Sequence, residues 1–355
     1  MAAYTTIDDP TAHFQTTSYS GNGSADHAIT LPSDTDMQPD LVWIKNSQEA
    51  DPHCLFDAVR TATKLLLVND TDAESTDTDT LDAFQTDGFR VDADVKVNTS
   101  SEKYITWCWK AGGGAGSANT AGTINTTTTS VNTTAGFSIS QFTGNATGGA
   151  TIGHGIGAAP TCFIVKKMDG GATYGAKMMH LGSATYGNTH AFKLDETAVP
   201  QDYDGYWNDT SPSSTLITLG ASDHVNSTNE NICYAWAPIQ GFSKFGTYVG
   251  NGNADGPFVY TGFRPCTVIV KKSSGTGHWG IWSTAVGGIG GNGNDGNFRF
   301  DDTYSVGGEK IDFCSNGWKT RNSYSHYNES AATFIYMAFA EAPFVNSKGV
   351  SCNAR

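Results

Sequence analysis

One pattern recurs three times along this chain and constrains its fold more than any other feature. A proline is followed six positions later by a lysine, with an apolar stretch between them. The copies are Pro39-Asp-Leu-Val-Trp-Ile-Lys45, Pro160-Thr-Cys-Phe-Ile-Val-Lys166 and Pro265-Cys-Thr-Val-Ile-Val-Lys271. Upstream of each lies an aromatic residue leading into a Gly-Asn turn, at Tyr19/Gly21-Asn22, Phe142/Gly144-Asn145 and Tyr248/Gly250-Asn251. Downstream lies an apolar closing run: Tyr104–Trp109, Asn231–Trp236 and Phe334–Phe339. An asparagine precedes each run, at Asn98, Asn226 and Asn328. Three ordered marks repeated three times indicate an internal triplication with units of about 105 residues.

Short apolar stretches bounded by Gly, Asn and Pro, with no sustained helical period, read as β-strands. The 41 glycines and the many Thr, Ser and Asn residues disfavour long helices. The expected fold is therefore all-β: three tandem antiparallel β-sandwich repeats of jelly-roll or concanavalin-like type. The boundaries expected are 1–110, 136–240 and 241–344, followed by a tail over 345–355. Residues 111–135 carry no charge and are rich in Gly, Ala, Asn and Thr, so they read as a flexible spacer. The lysine ending each apolar run is expected where the strand emerges into water. One helical turn is allowed around residues 57–67. Seven scattered cysteines without a CxxC read as small buried hydrophobes.

Charge and motifs narrow the function. The formal net charge of −14, without a Lys/Arg cluster, argues against nucleic acid and anionic membrane surfaces. No apolar run approaches the roughly 20 residues of a membrane span, and the opening MAAYTTIDDPTAHF is not a secretory signal. No nucleophile elbow, HExxH or P-loop occurs. Gly288–Gly293 fits GxGxxG, but it lies in a glycine run between strands and reads as a loop. No cofactor is expected. Calcium is the metal that the Asp/Asn/Gly loops at 72–79, 253–255 and 292–295 would suit, although none follows a known calcium-loop pattern and plain turn chemistry is the favoured reading. His154, between glycines, reads as a turn residue and not a zinc ligand.

At these motifs the sequence resembles virion structural and tail-fibre proteins of marine tailed bacteriophages. The stretches that carry the likeness include Pro39–Asn46, Tyr104–Gly113, Phe245–Gly252, Asp255–Pro265, Phe334–Phe344 and Asn353–Arg355. The resemblance implies lectin-like sandwich repeats on the particle exterior and no catalytic residues. It implies a non-enzymatic fibre or surface-decoration subunit, located in the virion and assembled in the host cytoplasm. The partners it implies are other virion proteins and further copies of the chain, a trimer being the common arrangement. Contact with host-surface polysaccharide is a second expectation, with the chain itself as adhesin; a polysaccharide-degrading tail enzyme is the remote alternative. A sugar site needs an exposed aromatic platform beside polar loops. Trp207, Trp279, Trp282 and Tyr304 are the candidates for it, the alternative being that these rings belong to the core.

Overall fold

The computed structural model describes residues 3–169, 177–181, 189–286, 293–294, 296–303 and 306–352. It is all-β, built from antiparallel sheets, and among the described residues its helices are single turns such as Val95–Asn98 and Ser325–Asn328. Three large sheets share one strand order. An opening strand pairs with a closing strand, which pairs with the proline–lysine strand, which pairs with the next strand in sequence. In the first sheet these are Phe14–Ser20, Lys103–Trp109, Leu41–Asn46 and Cys54–Asp57. In the second they are Phe137–Thr143, Glu230–Trp236, Cys162–Lys167 and Lys177–Leu181. In the third they are Ser243–Val249, Thr333–Pro343, Phe263–Lys272 and Trp279–Ser283.

The register also recurs residue for residue. Trp109, Trp236 and Phe339 oppose Leu41, Cys162 and Thr267, each two positions after the proline. Lys45, Lys166 and Lys271 oppose Ile105, Ile232 and Ile335. Behind each large sheet lies a smaller one: His27–Ile29 with Gly88–Val91 and Leu81–Gln85, Ala150–Gly153 with Leu216–Leu219, and Phe258–Tyr260 with Gly317–Thr320 and Ile311–Cys314.

The period-2 geometry of a strand sends alternate residues to opposite faces. In the first closing strand Tyr104 and Cys108 pack towards the small sheet, while Ile105, Trp107 and Trp109 belong to a second, larger core. The second sheet divides likewise, with Cys233 and Ala235 on one side and Ile232, Tyr234 and Trp236 on the other. That larger core is shared by all three large sheets. Trp109 lies 6.1 Å from Trp236 and 5.5 Å from Phe339, centroid to centroid. Polar and sulfur contacts tie the sheets pairwise: Tyr234 donates to Asp57 at 2.7 Å, Thr16 Oγ1 and Ser283 Oγ stand 2.6 Å apart, and Cys162 Sγ lies 3.7 Å from Met337 Sδ.

The recurrent Gly-Asn turn has a specific cause. The Oδ1 of Asn98, Asn226 or Asn328 accepts from the backbone N–H of Asn22, Asn145 or Asn251. Each Nδ2 then donates to the turn asparagine's Oδ1 and to two backbone carbonyls, for Asn226 those of Thr147 and Gly220. The glycine before each turn asparagine is forced by close approach. A Cβ on Gly21, Gly144 or Gly250 would meet a carbonyl oxygen of Thr99, Ser227 or Glu329 at 2.2–2.3 Å.

Three expectations need correction. Residues 111–135 are not a flexible spacer: Thr126–Asn132 is a strand paired with Phe137–Thr143, and Ile124 is buried beside Ile152. The backbone N–H groups of Ala111, Gly113 and Gly114 converge on the buried Asp40 carboxylate at 2.7–2.9 Å. β-Branched threonine suits a strand, and glycine lets the amides close on one anion; composition alone reads both as looseness. Residues 57–67 hold no helical turn, since they end one strand, turn, and form another at Lys64–Leu67. The strand-end lysines do not reach water either. Lys45 and Lys271 are fully buried and Lys166 is 3% exposed. Lys45 Nζ donates to the carbonyls of Asn46 and Glu49, and Lys271 Nζ to those of Glu196 and Gly277. For Lys45 and Lys271 backbone carbonyls take the place of solvent, whereas Lys166 Nζ meets no hydrogen-bond partner among the described residues, and burial pushes all three lysines down to about 8.

Candidate glycan-binding face

The tryptophans that are candidates for a platform belong to the core instead. Trp207 packs edge-on against Phe163 at 4.6 Å, and its indole donates to the His190 carbonyl. Trp279 stacks on Phe300 at 5.0 Å and donates to the Lys193 carbonyl, and Trp282 meets Tyr327 at 4.8 Å and donates to the Glu309 carbonyl. All three are at most 1% exposed, with the N–H satisfied in the interior. Tyr304 lies outside the described residues.

Exposed rings occur instead on the small sheet of the third pair. In the strand Phe258–Tyr260, Val259 is buried opposite Trp318, so the residues on either side of it face outward. Phe258 is 48% exposed and Tyr260 50%. Both lie on the same face of one strand, two positions apart. Gly317 supports the pair: a Cβ there would meet the Phe258 ring at 2.7 Å, so that ring covers bare backbone. Lys244 donates to the Tyr260 carbonyl at 2.8 Å, with its ammonium 5.1 Å from the Tyr260 ring centroid. Tyr4 donates to the Gly262 carbonyl at 2.7 Å, and its hydroxyl lies 3.5 Å from that of Tyr260. Burial, reinforced by Tyr260, pushes the Tyr4 hydroxyl up to about 12, which keeps it protonated.

Charged groups border the rings. Lys319, paired across the strands with Phe258, reaches Asp255 at 2.6 Å, and Arg321 reaches the same carboxylate at 3.3 Å. The hydrogen bond and charge of Lys319 hold the Asp255 carboxyl below its usual range. Such a face offers apolar ring surfaces for the C–H side of a sugar, with an acceptor and several donors at the rim for its hydroxyls. The sequence carried a sign of it in the ring-Val-ring alternation of Phe258-Val259-Tyr260, opposite a strand whose tryptophan is buried.

The other candidates resolve into structural roles. His154 is buried, its Nδ1 accepting from the Ile156 N–H at 3.2 Å and its Nε2 3.3 Å from the Ser213 carbonyl. In the loops considered for calcium, Asp77 and Asn253 side chains accept backbone N–H groups two residues on, which is turn chemistry. Asn292 and Asp295 lie outside the described residues. Among the described residues no group of three or more His, Cys, Asp or Glu side chains is arranged to hold a metal ion. Five cysteines are buried as free thiols, Cys314 is half-buried and Cys352 is exposed.

Residues 9–343 match the family model described as a domain of unknown function, DUF7483. No curated protein matches the chain.

Proposed function

The chain belongs to the DUF7483 family, and we propose that it is a non-enzymatic structural protein of a bacteriophage particle exterior, a fibre or surface-decoration subunit that contacts host-surface glycans. The observation that carries the glycan part is the Phe258–Tyr260 pair, two large rings left half in water on one strand face while every described tryptophan is buried. An outward aromatic pair lowers the entropic cost of binding, because each ring has only two side-chain torsions to fix. The particle assignment rests on the resemblance of stretches such as Asp255–Pro265 and Tyr104–Gly113 to phage virion proteins.

The homotrimer rests on that resemblance as well. Light scattering on the purified protein decides the point: a clean monomer of 37.6 kDa overturns the oligomer.

The glycan reading is tested with envelope polysaccharide from the host and the double variant Phe258→Ala/Tyr260→Ala. Retention of polysaccharide by the wild-type chain and loss of about tenfold or more in the variant is the expected result, about 1.4 kcal/mol or more from two stacking rings. Equal retention by both proteins refutes it. Release of reducing ends from the polysaccharide would make the protein an enzyme instead.

A further inference from the structure

A second group of side chains, sharing no residue with the Phe258–Tyr260 face, is built around His278 and His326. The His278 and His326 rings stack at 4.7 Å and 22°, and Tyr324 stacks on His326 at 4.8 Å and 19°. The ladder reaches the surface: the Tyr324 side is 37% exposed and the His278 side chain 22%. Each imidazole has its Nδ1 committed inside the protein. His278 Nδ1 lies 2.9 Å from Oδ2 of Asp301, a fully buried carboxyl whose Oδ1 accepts the Trp279 N–H at 2.9 Å. His326 Nδ1 lies 2.8 Å from the backbone nitrogen of His278 and accepts its hydrogen.

These bonds fix opposite tautomers. Facing the Asp301 carboxylate, the neutral form of His278 carries its proton on Nδ1, which leaves a lone pair on Nε2. Accepting a backbone N–H, His326 has its lone pair on Nδ1 and its proton on Nε2. Burial, with His278, Arg299, Lys272 and Lys271 close by, lowers the His326 pKa and keeps that ring neutral. Neither Nε2 meets a protein partner among the described residues. One acceptor and one donor are thus presented by two stacked rings. A transition metal does not suit them, since His326 Nε2 is protonated and its other nitrogen is in use.

We infer that His278 and His326 form a site for neighbouring hydroxyl groups of a sugar or other polyol, one donating to His278 Nε2 and the next accepting from His326 Nε2–H. A hydroxyl both donates and accepts, so a diol satisfies the two nitrogens together. The inference goes beyond the aromatic face, and the two fail independently.

The test is long-range proton–nitrogen NMR on the full chain labelled at histidine, with His278→Gln and His326→Gln spectra used for assignment. The expected spectrum has the proton on Nδ1 in His278 and on Nε2 in His326. Methyl glucoside should shift both Nε2 resonances, whereas tetrahydropyran, which has the ring without the hydroxyls, should leave them in place. Asp301→Asn must keep its oxygen on the Trp279 N–H, and so turns its amide towards His278 Nδ1. That drives the His278 proton to Nε2 and should weaken glucoside binding about tenfold, a lost hydrogen bond with an unmatched donor in its place. Phe258→Ala/Tyr260→Ala should leave these shifts unchanged. Matching tautomers in the two rings, equal shifts with tetrahydropyran, or a response to zinc alone would each overturn the site, and the wild-type tautomers decide even if Asp301→Asn does not fold.

Discussion

Asn226 and its counterparts Asn98 and Asn328 do with one amide what a bound cation does in other turn-rich proteins: they gather oxygens. Asn226 Nδ2 faces Asn145 Oδ1 and the carbonyls of Thr147 and Gly220. Asn226→Asp is expected to cost about 2–4 kcal/mol near neutral pH, because a buried carboxylate would confront three acceptors. The introduced carboxyl's folded pKa is raised above its unfolded value of about 3.9, so the deficit shrinks as pH falls; urea unfolding at two pH values checks it. Lys166 gives the opposite sign. Its folded pKa is lowered to about 8 from 10.5, so between those values the unfolded chain holds a proton the folded lysine has shed, and stability rises with pH. Lys166→Met should therefore gain about 1–3 kcal/mol near neutral pH, and the gain should fade as pH climbs through that window. Lys45→Met and Lys271→Met should not gain, since each strands two carbonyls that the ammonium now satisfies. Calorimetric melting of the three variants separates these outcomes.

The strands were the most legible part of the chain, because a proline, an apolar run and a lysine are local marks. Leu41–Asn46, Cys162–Lys167 and Phe263–Lys272 begin and end close to those marks. What was not legible depends on distant partners. The strand Thr126–Asn132 reads as a spacer until Phe137–Thr143 lies beside it, and nothing local to Ala111, Gly113 and Gly114 says that Asp40 draws their amides together. The tryptophans are ambiguous in the sequence for the same reason: a tryptophan beside a polar loop has the same composition whether its indole meets water or the Glu309 carbonyl. The closing strands allow a quantitative check. Trp109 packs on Phe14 at 4.8 Å as well as on Trp236 and Phe339. Trp109→Ala should cost about 3–5 kcal/mol, read from the shift of the urea midpoint at unchanged slope. An unchanged midpoint would mean that this centre is looser than its geometry.

Across the whole molecule the three large sheets share one apolar interior, with Leu41, Trp43, Ile164, Trp236, Ile269 and Met337 around a cavity of about 30 Å³. That is room for a water or two, too little to separate the sheets. A scanning calorimeter should therefore record one cooperative transition, since melting one sheet uncovers the inner faces of the other two. Three resolved transitions would instead show three sandwiches that hold together independently.

The shared interior also sets an order of events during synthesis. The first sheet has all its main strands once Trp109 has left the ribosome, yet the rings that cover Trp109 belong to Trp236 and Phe339. For more than half of translation, a finished sheet waits for its full lid: Trp107 stays uncovered until Phe298 is made, and Trp109 is covered first by Trp236 and only at the end by Phe339. Nascent chains on neighbouring ribosomes, each showing that face, are well placed to meet one another before they meet their own third sheet. The demand on chaperones should therefore be heaviest in mid-chain and should end with the arrival of the last closing strand.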